Sequence, residues 1–119
     1  MSDTVEVHGE SVTDGDSSSL AALTLYESGS ETVYTMAEGE FLNITDVSIV
    51  IEDGGDTMLV AAAADTAGLR IVAGKFAANG GIDKHFKTPF TCPDGVTPTF
   101  KGAAANYNSC IIEGFITRI

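Results

Sequence analysis

The sequence predicts an all-β protein, an antiparallel β-sandwich with jelly-roll topology. Short apolar runs recur about every ten residues, turn residues separate them, and no segment keeps a helical apolar period. Eight such runs fit the two Greek keys of a jelly roll. With 119 residues, 44% of them hydrophobic, the chain can bury one ordinary core without metal or disulfide support.

Residues 1–19 are predicted to form a flexible acidic arm, and residues 20–119 a single β-sandwich domain. Val5, Val7 and Val12 are the only large aliphatic residues of the arm after the first residue. Low hydrophobicity with like charge does not offset the entropy of ordering. We therefore expect the arm to be mobile unless a partner holds it.

The first half of the domain contains three predicted strands, at 20–26, 32–36 and 41–51. In the longest of them the apolar alternation changes phase at Thr45-Asp46, which predicts a β-bulge or a strand that leaves its sheet. The two glycines of the turn Asp53–Asp56 predict a hairpin.

The second half continues with strands at 57–64, 69–73, 82–86, 96–100 and 110–119, and a short apolar run at 90–92 lies within the proline region. The alanines of the first of these also permit a helix, but the segment lacks an N-cap and lies between glycine turns. Three prolines between Pro89 and Pro98 predict an edge strand or a crossing loop, because proline cannot donate to a ladder. The last strand is apolar on both faces, so we expect a central strand or one covered by a neighbouring subunit.

The alternating positions of these strands predict the core. Its expected members are Leu23, Leu25, Val33, Leu42, Ile44, Val47, Ile49, Leu59, Ile71, Phe76, Phe86, Ile112 and Ile116. Cys92 and Cys110 are not in a zinc-binding pattern, and we expect two buried reduced thiols. A cross-strand disulfide remains possible if their strands pair.

The charge of the chain argues against two classes of partner. Residues 1–69 contain 14 acids and no Lys or Arg, whereas residues 70–119 contain 3 acids and 6 bases. Affinity for nucleic acids and anionic lipid surfaces comes from Lys and Arg, so we expect neither partner. The acidity can be explained by a need for solubility, by binding to a basic partner, by cation binding or by function at high salt.

The chain also lacks the signals of a membrane or exported protein. The longest apolar run, 58–64, is far shorter than the ~20 residues of a membrane helix. Residues 1–6 contain neither the basic stretch nor the apolar stretch of a signal peptide, so we expect none. We expect a soluble product made in the host cytoplasm.

No catalytic motif is recognisable, and we expect no enzyme and no cofactor. His85 is the one histidine outside the predicted arm, and no nucleophile motif surrounds it. Asp53 and Asp56 could bind a cation weakly at their turn, although a solvated turn is the simpler interpretation, and no metal site is predicted. Carbohydrate binding is a serious alternative for a small β-sandwich, with Tyr107 as the best single candidate.

Three segments together resemble a family of virion proteins. They are 32–47 (TVYTMAEGEFLNITDV), 68–81 (GLRIVAGKFAANGG) and 113–119 (EGFITRI). The likeness is to the β-sandwich capsid decoration (cement) and head-fibre proteins of tailed bacteriophages, and it covers roughly residues 30–119.

The resemblance implies a structural role on the virion. Such proteins form trimers on the outer capsid surface and clamp neighbouring major capsid subunits, so a homotrimer bound to the major capsid protein is expected. A carbohydrate- or receptor-binding module of a phage appendage is the alternative. We place the subunit interface on the terminal strand and the proline-rich segment, with the candidate residues Phe90, Val96, Phe100, Ile111, Phe115 and Ile119.

Overall fold

A computed structural model describes residues 5–119, which form two antiparallel sheets around one core. The strands are β1 (Val5–Asp14), β2 (Ala21–Ala22), β3 (Thr24–Glu27), β4 (Val33–Tyr34), β5 (Glu40–Ile51), β6 (Gly55–Val60), β7 (Arg70–Phe76), β8 (Gly80–Thr91), β9 (Thr99–Lys101) and β10 (Tyr107–Arg118). Residues 5–119 contain no helix. The predicted all-β sandwich is confirmed.

The strand order is that of a jelly roll with one added hairpin. One sheet has the order β4-β3-β1-β10-β5-β8 and the other β2-β9-β6-β7. When the β3–β4 hairpin is set aside, eight strands remain. Numbered one to eight in chain order, they run 1-8-3-6 in one sheet and 2-7-4-5 in the other. Two Greek keys wound together produce this order.

The prediction of a flexible N-terminal arm is wrong for the described part of that segment. Residues 5–14 form β1, which lies inside the six-stranded sheet between β3 and β10. Val7 is buried, and the Cα of Gly9 lies so close to Ile112 and Leu25 that a Cβ there would approach them to less than 3 Å. Pairing with the far end of the chain supplies the stability that the local composition lacks. Residues 1–4 lie outside the described residues.

The predicted bulge is confirmed at Thr45. The registers of β5 with β10 and with β8 both shift there. On the β8 side, residues 86–89 lie opposite this single residue, so Pro89 falls where no ladder hydrogen bond is required. Strand β8 is an edge strand, and the chain then crosses to the other sheet, so both expectations for the proline region hold.

The hairpin predicted at 53–56 is wrong, because this turn joins two sheets. Strand β5 belongs to the six-stranded sheet and β6 to the four-stranded sheet. Gly54 has a φ of 75°, and a Cβ there would lie 2.5 Å from the carbonyl oxygen of Phe76. Glycine is therefore needed at this corner. A glycine-containing turn can close a hairpin within one sheet or connect strands of two sheets. The turn sequence alone therefore does not distinguish the two arrangements.

Two other strand predictions change at their ends. The predicted strand 20–26 is divided at Leu23 between β2 in one sheet and β3 in the other. The predicted strand 57–64 ends at Val60, and its alanines form a bend rather than the rival helix. The terminal strand β10 is central, as expected, with β1 and β5 as its neighbours.

Most of the predicted core is buried. The confirmed members are Leu23, Leu25, Leu42, Ile44, Val47, Ile49, Leu59, Ile71, Ile112 and Ile116. Phe76 and Phe86 are only partly buried, and Val33 is 57% exposed because it lies on the two-residue edge strand β4. Val7 and Ile51 are core residues that the prediction missed.

Two buried asparagines fasten loops and strands to this core. The Asn108 side chain accepts a hydrogen bond from the N–H of Ala103 at 2.9 Å and donates to backbone carbonyls, including that of Gly15. Asn43 accepts from the hydroxyl of Thr91 and donates to the carbonyl of Phe115. Buried amides that lose such partners cost about 1–3 kcal/mol each, so both side chains are structural.

The two cysteines should be chemically inert in the folded protein. Both are free and buried, and burial raises the pKa of each thiol to about 12. Since the thiolate is the reactive species, a thiol-specific disulfide reagent should label neither cysteine in native protein and both after denaturation without reductant. Rapid labelling of the native protein, or no labelling of the denatured protein, would contradict this assignment.

A chain that begins at Leu20 should fail to fold. It lacks β1, so the inner edges of β3 and β10 lose their partner and the core loses Val7. Thermal unfolding followed by circular dichroism should show no cooperative transition, whereas a chain that begins at Val5 keeps every described strand and should unfold cooperatively. Cooperative unfolding of the shorter chain would support the original arm prediction.

Candidate binding surface

The outer face of the six-stranded sheet is a regular surface formed by six strands. No other strand of residues 5–119 packs on it. One row across this face holds, in strand order, Val33, Tyr26, His8, Glu113, Asp46 and His85. Both histidines of the chain therefore share one row with two carboxylates, although His8 and His85 are far apart in sequence.

Like charges meet at the centre of this row. Glu113 and Asp46 are directly opposite on β10 and β5, which is unfavourable for two carboxylates. Asp46 Oδ1 lies 2.8 Å from His85 Nδ1, and this hydrogen bond, assisted by the Thr45 hydroxyl, holds the pKa of Asp46 below its usual range. On the other side, His8 Nε2 lies 3.5 Å from Glu10 Oε2.

The His85–Asp46 pair lacks the third member of a catalytic triad. The imidazole is 71% exposed, and its hydrogen bond to Asp46 is the only one it makes to a side chain within residues 5–119. Both cysteines lie in the core. Within the same range, no group of three or more His, Cys, Asp or Glu side chains has the geometry to hold a metal ion.

A groove of about 850 Å³ opens where the β3–β4 hairpin stands beside this row. Its apolar part is supplied by Tyr26 and Val33. Its charged lining consists of Glu10, Glu27, Glu31, Glu113 and His8. Because residues 1–69 contain no Lys or Arg, no basic side chain from that half of the chain neutralises these carboxylates. We call this feature the acidic groove.

A partly buried polar trio holds the base of the hairpin that walls the groove. Glu40 Oε2 accepts from the Tyr34 hydroxyl at 2.6 Å and from Arg118 Nε at 2.8 Å. Arg118 Nη2 donates in turn to the Tyr34 oxygen at 3.0 Å. The hydroxyl of Tyr34, then the backbone N–H of Ala37 and Arg118, keep the pKa of Glu40 below its usual value despite burial. The trio joins β4, β5 and the end of β10.

The opposite edge of the same sheet is strand β8, where two lysines accompany one acid, Asp83. Strand β8 carries Lys84 and Lys87, both exposed. Lys84 Nζ lies 4.8 Å from the centre of the Phe86 ring, a cation–π contact. Phe86 packs in turn against Phe90, with their ring centres 6.5 Å apart. We call the segment Lys84–Lys87 the basic edge.

The predicted interface residues do not form one surface. Phe100 is 1% exposed and packs in the core, so its assignment to an interface is wrong: as a residue of β9 it faces the other sheet. Ile111 and Phe115 lie half-buried on the outer face described above. Phe90 is partly buried against the core, Val96 lies half-buried in the crossing loop, and Ile119 is 96% exposed.

The other sequence candidates lie near the end of the sandwich where β5 turns to β6. Tyr107 is 41% exposed, and its backbone N–H donates to a carboxylate oxygen of Glu52. The Asn106 amide donates to both carboxylate oxygens of Asp53 at 2.8 and 2.9 Å, so Asp53 is engaged within the protein. Asp56 lies on β6, opposite Lys75 of β7, in the other sheet.

Sequence reasoning missed the acidic groove. Its walls come from β1, β10 and the β3–β4 hairpin, and their contact follows from β1 lying inside the sheet. The available signal was the turn ESGSE at 27–31, in which two glutamates flank a short loop between runs with strand character. That signal predicts a charged turn, but it does not indicate what lies beside it.

Comparison with known proteins leaves the family of this chain open. Neither protein-family models nor curated proteins nor solved structures gave a match. The likeness to phage decoration proteins therefore stays a prediction from the sequence segments that carry it. No helix within residues 5–119 is long and apolar enough to cross a membrane.

Replacing Tyr34 with Phe should destabilise the protein in a pH-dependent way. The lost hydrogen bond to Glu40 should lower the free energy of unfolding at neutral pH by about 1–2 kcal/mol. Because the folded protein keeps the pKa of Glu40 below its usual 4.5, this contribution is present at neutral pH and is lost as the pH falls below that value. Denaturant unfolding at pH 7 and pH 3 measures the difference.

Tyr26→Phe is the matched control for this substitution. The Tyr26 hydroxyl makes no side-chain hydrogen bond to the part of the chain that the structure describes, so its loss should change stability little at either pH. If Tyr34→Phe lowers the free energy of unfolding equally at both pH values, the carboxylate of Glu40 is not the source of the lost stability.

Proposed function

We propose that this protein is a capsid decoration protein of a tailed bacteriophage, which binds the outer surface of the capsid and stabilises the shell. The observation that carries the proposal is a jelly-roll sandwich whose six-stranded sheet presents an open, charged outer face. Viral capsid and lectin domains use this fold, and a fold by itself does not decide function. The sequence segments that resemble decoration proteins favour a capsid role over a lectin role.

The charge of the outer face supports docking on a protein surface. The half of the outer face formed by β1 and β3 carries Glu6 and Glu10 and has no Lys or Arg. Such a field steers association with a basic partner and orients it on approach. The outward side chains Ile111 and Phe115 supply apolar contact area between the charges. The expected partner is the major capsid protein, bound by a homotrimer of this chain.

A second candidate function is carbohydrate or receptor binding by a phage appendage. The observation that favours it is Tyr107, which stands partly exposed beside the Asn106–Asp53 hydrogen bonds. An aromatic ring next to amide and carboxylate groups suits a sugar, whose hydroxyls need donors and acceptors. The two functions differ in copy number, because a decoration protein coats the shell and an appendage module occurs in few copies.

Quantitative mass spectrometry of purified particles tests the proposal. In density-gradient particles of the phage that carries this gene, the protein should be present at a copy number comparable with that of the major capsid protein. Particles that have lost it should rebind purified protein to saturation and resist heating better afterwards. A few copies per particle would favour the appendage function, and absence from the particles would refute the proposal.

A further inference from the structure

We propose that the acidic groove binds the basic edge of a second copy of this chain, so that copies join edge to edge into a closed ring. The inference deepens the proposed function. Only the expected number of copies in the ring, three, rests on that proposed function. The two surfaces lie on opposite edges of the same six-stranded sheet, the groove beside β3 and β4 and the basic edge on β8. One copy therefore offers both halves of the contact.

The groove has the shape and chemistry to accept a basic strand. Glu10, Glu27, Glu31 and Glu113 line it, and none of the four is hydrogen-bonded to Lys or Arg within residues 5–119. Among the side chains of residues 5–119, Glu10 forms its one ion pair with His8. Val33 is 57% exposed at the rim, which leaves an apolar side chain next to the carboxylates. A partner with both basic and apolar side chains would satisfy this lining.

The basic edge has the matching composition. Lys84 and Lys87 flank Phe86, which is partly buried and lies under the Lys84 ammonium. Within residues 5–119 these two lysines form no salt bridge, unlike Arg70 and Arg118, which bind Asp65 and Glu40. Lysines on an edge strand also oppose continuous sheet formation with a neighbour. The contact is therefore made by side chains entering the groove, without a shared backbone ladder.

Charge selects this arrangement over a symmetric one. Two grooves placed face to face would oppose carboxylates, and two basic edges would oppose lysines. Opposite charges meet when the acidic groove of one copy contacts the basic edge of another. A contact between two different surfaces is heterologous, and it gives a ring when the rotation between copies closes.

The experiment measures native mass by size-exclusion chromatography with light scattering, in low and high salt. Wild-type protein should form a discrete oligomer, near three times 12.3 kDa for a trimer, that dissociates as salt rises. Lys84→Glu/Lys87→Glu and Glu27→Lys/Glu31→Lys should each be monomeric at the same concentration. The fourfold variant that combines both pairs restores opposite charges and should recover the oligomer.

Lys75→Glu/Lys101→Glu is the matched control, since it changes the net charge equally on the other sheet and should leave the oligomer intact. Circular dichroism of every variant checks that it is folded. A monomeric wild-type protein, or an oligomer that survives both charge reversals, overturns the proposal. The test uses no phage particles, so an oligomer that obeys these charge rules but never binds capsids would refute the proposed function alone.

Discussion

Strand β1 pairs with β10 along its whole length, from Val5 opposite Ile116 to Asp14 opposite Tyr107. This pairing places β10 in the middle of the sheet, where β5 can pair on its other side. It also creates the outer edge on which β3 and β4 are added. The core, the row of charged side chains and the acidic groove all require it, because each contains residues from both ends of the chain.

The two edges of the six-stranded sheet differ in charge because acidic and basic residues are concentrated in different parts of the sequence. All 14 acids of residues 1–69 precede the first base, and β1, β3 and β4 come from that part. The basic edge comes from the second part, where 6 bases accompany 3 acids. The jelly-roll order then brings the acidic strands to one side of the central β10–β5 pair and β8 to the other. The uneven distribution of charged residues along the sequence therefore becomes an uneven distribution of charge across the sheet.

Period-two alternation was enough to predict the fold class, ten core residues and the bulge at Thr45, because each depends on neighbouring residues alone. The failures involve partners distant in sequence. β1 was interpreted as a mobile arm because its stability comes from β10, and Asp53–Asp56 as a hairpin because glycine turns also join two sheets. The acidic groove and the Tyr34–Glu40–Arg118 trio were not predictable for the same reason.

The pairing of β1 with β10 also determines when this protein can fold. During synthesis β1 leaves the ribosome long before its partner exists, and both neighbours of β10 remain unpaired on that side until β10 is made. Contacts between such distant segments carry a large loop-closure entropy, and folds that depend on them form slowly. The nascent chain therefore exposes unpaired strand edges until β10 has been made, and the like charge of its acidic first half opposes association with neighbouring nascent chains during that time.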